Sequence, residues 1–296
     1  MADSSGQDDF EFYHYDPSIA AAVIFLLLFL VMTVVHTYQM FRTKTWYFIP
    51  FVIGGFFEWI GYIGRIIGGN ETPNWALGPY ILQTLLLLIA PALFAASIYM
   101  VLGRIILLTD GETYSLIRRR WLTKIFVCGD VISFLMQGGG GGVMSSGSAD
   151  SLKAGENIVI GGLVVQIVFF SVFVAVGTTF HYRMRLLPTS KVTGDSIPWE
   201  AHMNTLYAGS ILILVRSVFR LVEYAQGNDG YLVSHEVFLY IFDSLLMLAT
   251  MVAFAWKHPS EINALLKGRG SKAVKNFLVV YPVYFSGDAR DACEGA

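Results

Sequence analysis

PYILQTLLLLIAPALFAASIYMVLGRIILL, residues 79–108, carries one charged side chain, Arg104, in thirty positions. About 20 predominantly apolar residues suffice for a helix to cross a hydrocarbon core of about 30 Å. The stretch therefore predicts a membrane span, Pro79–Leu108, long enough to tilt or to project into the cytosol. Reading outward in both directions predicts further spans at Pro17–Gln39, Trp46–Gly68, Leu122–Met144, Asn157–Tyr182, Ala201–Ala225 and Leu232–Trp256. The sixth is the weakest, because Arg216, Arg220 and Glu223 interrupt it, but ILILV at 211–215 and the apolar run that follows leave no other compact solution. The expected fold class is all-α: a polytopic membrane protein of seven transmembrane helices over 17–257, with an exposed tail at 1–16 and a cytosolic tail at 258–296.

Composition points the same way. The chain is 55% hydrophobic and 14% charged, whereas soluble domains average about 45–50% and about 25%, because a folded surface must be wetted. A net charge of −2 argues against a nucleic-acid partner. Cys128 lies in an apolar run and Cys293 near the chain end, which does not suggest a disulfide framework. The N-terminal stretch MADSSGQDDFEFYHYD lacks the basic region and short apolar core of a removable signal, so the first span is expected to serve as its own insertion signal.

Orientation follows from lysine and arginine, which cytosolic loops retain. Arg42 and Lys44 fall in the first loop; Arg118, Arg119, Arg120 and Lys124 in or beside the third; Arg183, Arg185 and Lys191 in or beside the fifth. Lys257, Lys267, Arg269, Lys272, Lys275 and Arg290 fall in or beside the tail, whereas loops of the other parity hold only Lys153. The N-terminus is thus expected outside and the C-terminus in the cytosol. Trp46, Trp75, Trp121, Trp199 and Trp256 sit at predicted span ends, where an indole is best placed, and the sequon Asn70-Glu71-Thr72 falls in an outer loop. There is no 20–50-residue repeat, and 188–198 reads as a polar loop. In the tail, LLKGRGSKAVKNF reads as an unstructured trafficking tail in preference to a segment laid on an anionic inner leaflet.

Ionisable residues within spans cost about 2.5–3.5 kcal/mol each on insertion scales, so each is expected to face the interior. Glu58, Tyr62 and Arg65 stand at i, i+4 and i+7, as do Arg216, Arg220 and Glu223, and Glu236, Tyr240 and Asp243. Asp130 and Gln137 are seven apart, and Gln83 and Gln166 can join from neighbouring spans. That spacing puts each set on one helical face. The proposed substrate-binding residues are Glu58, Tyr62, Arg65, Gln83, Asp130, Gln137, Arg216, Arg220, Glu223, Glu236, Tyr240 and Asp243. The bland alternative is a set of ion pairs that only hold helices together. Five carboxylates (Glu58, Asp130, Glu223, Glu236 and Asp243) face three guanidiniums (Arg65, Arg216 and Arg220), which leaves room for proton binding in a transport cycle. Glu223 and Glu236 suggest an acidic exit site for a cationic head group, restrained by Arg65 and Arg220. The run Gly138–Gly142 reads either as a frayed span end or as a broken helix lining a cavity, and Pro91 is expected to kink the third span.

FEWIGYIGR (57–65), the third-span block at 80–106, GDVISFLMQGGGG (129–141) and FRLVEYAQGNDGYLVSHEVFLYIFDSLLM (219–247) resemble signatures of the fungal lipid-translocating exporters, the RTA-like family. The resemblance covers about Tyr15 to Pro259. It implies a seven-helix plasma-membrane protein of fungi, linked to resistance against toxic amphiphiles, to movement or release of sphingoid long-chain bases and, in one branch, to porphyrin handling. Matching positions include Glu58, Arg65, Gln83, Arg104, Asp130, Gln137, Arg220, Glu223, Glu236 and Asp243.

The leading functional expectation is translocation of an amphiphilic lipid or lipid-like toxin. The partners expected are membrane lipids or amphiphilic small molecules, with no nucleic acid, no cofactor and no enzymatic activity; protein partners are not specified. A seven-helix receptor or sensor fits the topology equally well, but no D/E-R-Y ends the third span and no N-P-x-x-Y lies in the seventh. An intramembrane zinc hydrolase would need about three clustered ligands. Only His36, His181 and His235 are read at or near spans, on two different sides, so no metal is expected and haem ligation through His235 is a weak signal.

Overall fold

The computed structural model describes residues 17–71, 77–144, 148–195, 197–227, 230–268, 270–275 and 277–283. The expected 1–16 tail, Trp75, Thr72 of the sequon, Arg269, Arg290 and Cys293 lie outside the described residues. The helices are α1 (Ile19–Thr43), α2 (Ile49–Asn70), α3 (Leu77–Leu108), α4 (Arg119–Met144), α5 (Ala149–Leu186), a short α6 (Ser190–Asp195), α7 (Trp199–Ala225), α8 (Glu236–Leu239), α9 (Leu246–Trp256) and α10 (Ser260–Lys267). A π-helical segment, Tyr240–Leu245, joins α8 to α9. Local chemistry sets the ends: Ser18 caps α1 by accepting from the Ala21 N–H, Lys44 closes it with φ 53°, and Ser148 caps α5 through the Ser151 N–H at 3.2 Å.

Among the described residues, six helical stretches are long and apolar enough to cross a membrane: Ile19–Thr43, Trp46–Asn70, Gly78–Leu108, Asp150–Leu186, Trp199–Ala225 and Glu236–Lys267. The protein is a mostly helical, polytopic membrane protein. The fourth expected span exists as α4, 26 residues long, but Lys124, Asp130 and Gln137 interrupt its apolar run. The seventh starts later than expected, because 231–234 form a turn and the helix opens only at Glu236.

Packing runs mostly between sequence neighbours: α1 on α2, α2 on α3, α3 on α4 and α4 on α5, with α7 closing the bundle against α3, α5 and α9. The apolar stretch of α3 is 61% buried and that of α1 only 22%, which places α3 at the centre and α1 at the edge. The core is aromatic, with Phe48, Phe51, Phe94, Tyr99, Phe126, Phe173 and Phe254 fully or nearly fully buried.

The glycine run neither frays nor breaks. α4 continues through it to Met144, and the reason is a neighbour: a Cβ on Gly140 would stand 2.6 Å from the Gly155 carbonyl oxygen of α5, and one on Gly155 would stand 2.5 Å from the Gly140 oxygen. Close backbone approach is the known use of glycine between membrane helices. Gly139, by contrast, faces open space. Gly140→Ala is therefore expected to destabilise the protein by about 1–3 kcal/mol through overpacking, while Gly139→Ala gains about 0.5–1 kcal/mol from helix propensity. Melting curves of the purified variants check this, and equal melting for both would contradict the packing argument.

The tail is the largest correction. The described residues of 258–283 are not an unstructured tail: α10 is followed by an antiparallel hairpin of β1 (Lys272–Lys275) and β2 (Val279–Pro282), with Lys275 opposite Val279, a small addition to an otherwise all-α fold. A segment this short cannot build a core alone, so it uses the bundle's: Ile262, Ala264, Ala273 and Val274 are buried, with α10 on α3 and α1 and β1 on α1.

Candidate functional site

The site starts from a missing donor. Pro91 has no N–H, which frees the carbonyl of Leu87 four residues earlier in α3. α3 remains helical through Pro91, and the freed oxygen accepts from Arg216 Nη2 of α7 at 3.0 Å. Arg216 is buried and its Nε donates to the Asp243 carboxylate, so one guanidinium joins a broken backbone ladder to an acid between α8 and α9. Asp243 sits in the π-helical segment, where the wider turn departs from the α-helical ladder; such segments are frequent at functional sites.

Toward the N-terminal ends of α1 and α8 the polar seam continues. Tyr62 and Ser244 share a hydrogen bond between their hydroxyls. Arg65 donates from Nη2 to Glu236 at 2.6 Å and from Nε to the Tyr240 hydroxyl at 3.1 Å. Glu236 also accepts the Ser18 backbone N–H at 2.9 and 3.0 Å, which clasps the start of α1 to the start of α8. On α7, Arg220 donates to Glu223 at 2.7 Å and lies over the Tyr224 ring. The carboxylates become wetter along this path, Asp243 at 9%, Glu223 at 11% and Glu236 at 15% exposed, while Arg65 stays fully buried. Glu58 is buried close to Asp243 and Arg216, and its Oε1 has no hydrogen-bond partner among the described residues. Beside the seam, Phe25, Tyr62 and Tyr240 stack with one another, and Phe29 stacks on Tyr62, at 5.2–6.4 Å between centroids.

The structure does not unite all the residues the sequence singled out. Glu58, Tyr62, Arg65, Arg216, Tyr240 and Asp243 form one seam with Glu236 at its end, the Arg220–Glu223 pair is on the same helix as Arg216, and Gln83 is buried on α3 beside Gly64. Asp130 and Gln137 form a separate cluster on α4. Gln137 donates to Ser133 at 2.7 Å and to Gln166 at 3.1 Å, and Ser133 donates to the Gly162 carbonyl. Asp130 lies buried beside Tyr99 of α3. The i, i+7 spacing correctly places Asp130 and Gln137 on one buried face, but that face meets α3 and α5 rather than the other stripes.

A third cluster, at the C-terminal ends of α1 and α9, joins histidines that no helical spacing in the sequence connects. His202 lies in the first turns of α7 and bonds Glu261 at 3.0 Å, which also accepts from Lys257 at 2.5 Å. His258, brought back by the turn after α9, lies 6.2 Å from His36 between ring centroids, and His36 Nε2 bonds the Met251 carbonyl. Among the described residues no group of three or more His, Cys, Asp or Glu could hold a metal ion. The usable signal is the i, i+4 pair Lys257 and Glu261 across the buried Pro259 turn, which marks a packed rather than a free tail.

Compared with protein-family models, residues 51–265 match the family described as RTA1 like protein. The chain is 37% identical over 289 residues to protoporphyrin uptake protein 1 of Saccharomyces cerevisiae, covering 85% of this chain and 93% of that protein. It is 35% identical over 294 residues to protein RTM1 of the same yeast, covering 86% and 93%. It is also 26% identical over 277 residues to the yeast sphingoid long-chain base transporter RSB1, covering 82% and 72%. No solved structure matches the chain.

Proposed function

The chain belongs to the RTA1-like family, and from that premise we propose that it moves amphiphilic lipids, sphingoid long-chain bases or lipid-like toxins, between the leaflets of the plasma membrane. The observation that supports this reading is the buried seam of arginine–carboxylate contacts running from Glu58 and Asp243 to Glu236, beside the peripheral helix α1. A seam of this kind offers a cationic head group a polar route by exchange of partners, with Glu58 as the carboxylate beyond the pairs, while the tail stays in lipid beside α1. The likeness to a protein named a sphingoid long-chain base transporter supports the same substrate class. In this reading α4 completes seven spans, the N-terminus is outside and the C-terminus is cytosolic. An impermeant reagent that reached a C-terminal tag on intact cells would overturn that orientation.

A second reading, porphyrin handling, is supported by the stacked rings of Phe25, Tyr62 and Tyr240 beside Arg65, which suit a flat anionic macrocycle, and by the relative named for protoporphyrin uptake. Reconstitution of the purified protein in liposomes with a fluorescent long-chain base, a phospholipid and a porphyrin, each tested separately, decides between them. Leaflet exchange of the long-chain base above the protein-free rate is expected. Exchange of porphyrin alone would favour the second reading, and saturable binding with no exchange would favour a sensor.

A further inference from the structure

At the C-terminal end of α9, Trp256, Lys257, Glu261, Lys275, Val279 and Tyr281 line a cleft of about 540 Å³ between α9, α10 and the hairpin. Its walls are fixed to the bundle: Gln39 of α1 donates to the Phe277 carbonyl at 2.6 Å, the Val274 N–H donates to Ser260 Oγ at 3.0 Å, and Phe277 packs edge-on against Trp256.

The charge inside is not balanced. Glu261 already receives Lys257 at 2.5 Å, His202 at 3.0 Å and the Tyr281 hydroxyl at 3.4 Å, so its acidity is spent within the protein. Lys275 is exposed and forms no ion pair among the described residues. Among the described residues the cleft therefore presents one free ammonium, that of Lys275. Apolar side chains stand beside it: Trp256 and Val279 line the cleft and, with Leu278 next to Val279 in the chain, are each more than half exposed. An indole at a span end marks the level of the head groups, and exposed aliphatic side chains beside lysine are the composition of a membrane-surface element.

We propose that this cleft binds the phosphate of an anionic phospholipid of the adjacent leaflet, with Lys275 on the phosphate and Trp256, Leu278 and Val279 against the glycerol and upper acyl chains. Assignment to the inner leaflet rests on the cytosolic placement of the C-terminus given above; the binding itself does not. Bound there, the lipid ties the hairpin to the membrane and so holds the end of α9 in place.

Native mass spectrometry of the detergent-purified full chain, titrated with dioctanoyl phosphatidylserine, dioctanoyl phosphatidylcholine or inorganic phosphate, tests this. Each lysine near an anionic surface contributes about a five-fold change in affinity. Phosphatidylserine is expected to bind saturably, and Lys275→Gln to weaken it about five-fold, to the level of phosphatidylcholine, while Lys275→Arg binds as the wild type does. Equal binding of phosphatidylserine by Lys275→Gln and wild type would overturn the proposal, as would phosphatidylcholine or free phosphate binding as tightly as phosphatidylserine. The measurement has no sidedness and reads no leaflet exchange, so its failure is distinct from failure of the transport reading.

Discussion

Arg216→Leu is expected to remove most of the folded protein from the cell surface and to lower its melting temperature sharply. The substitution leaves two buried groups without their partner at once, the Asp243 carboxylate and the Leu87 carbonyl. Breaking a buried ion pair from one side costs about 3–5 kcal/mol, because the remaining charge stays desolvated. Set against a net stability of about 5–15 kcal/mol for a typical protein, that is a large share of the total. Removing both charges in Arg216→Leu/Asp243→Leu is expected to restore part of the loss, since no unpaired charge remains. Recovery should stay incomplete, because Leu87 still lacks a donor. Melting of the single variant within a degree or so of wild type would show that the pair does not hold α7 to the last helix.

The second large effect separates transport from scaffolding. The exit site expected from the sequence has Glu223 and Glu236 receive a cationic head group as it leaves, each by release of its arginine. A hydrogen bond to a charged group contributes about 1.5–3 kcal/mol, so Glu223→Gln and Glu236→Gln are each expected to slow leaflet exchange of a long-chain base about ten-fold or more. Surface abundance should fall much less than in Arg216→Leu, since glutamine keeps the size and one acceptor oxygen for the arginine. Loss of abundance in proportion to activity would mean that the pairs Arg65–Glu236 and Arg220–Glu223 only lock helices. Normal exchange in the double glutamine variant at normal expression would dismiss the exit site altogether.

Much of the membrane domain was legible because its signals are covalent to the chain: apolar runs set α1 to α5, and an i, i+4, i+7 rhythm put Glu58, Tyr62 and Arg65 on one face. Legibility stopped where the partner was not a side chain. Arg216 could be singled out as costly, but its bond to the Leu87 oxygen depends on Pro91 of another helix. Asp243 could be placed on a face with Glu236 and Tyr240, but not in a π-helical turn, whose hydrogen bonds leave no period in the sequence. Asp130 shared the spacing of the other stripes, yet the direction of its face is set by Gly140 and Gly155 drawing α4 onto α5. The tail misled for a related reason. Its apolar residues are too few for a core of their own, and only the bundle end against which Ile262 and Val274 pack makes them enough.

The bond between Arg216 and the Leu87 carbonyl also imposes an order on biosynthesis. Donor and acceptor are separated by 129 positions, and ribosomes add about 5–20 residues per second. α3 therefore leaves the ribosome on the order of ten seconds before its helical ladder can be completed. An unsatisfied carbonyl in hydrocarbon costs several kcal/mol, so during that interval the nascent helix depends on water or on the insertion machinery for a donor. Arrival of α7 ends the dependence, which makes the docking of these two helices the step at which a newly made chain becomes independent of its helpers.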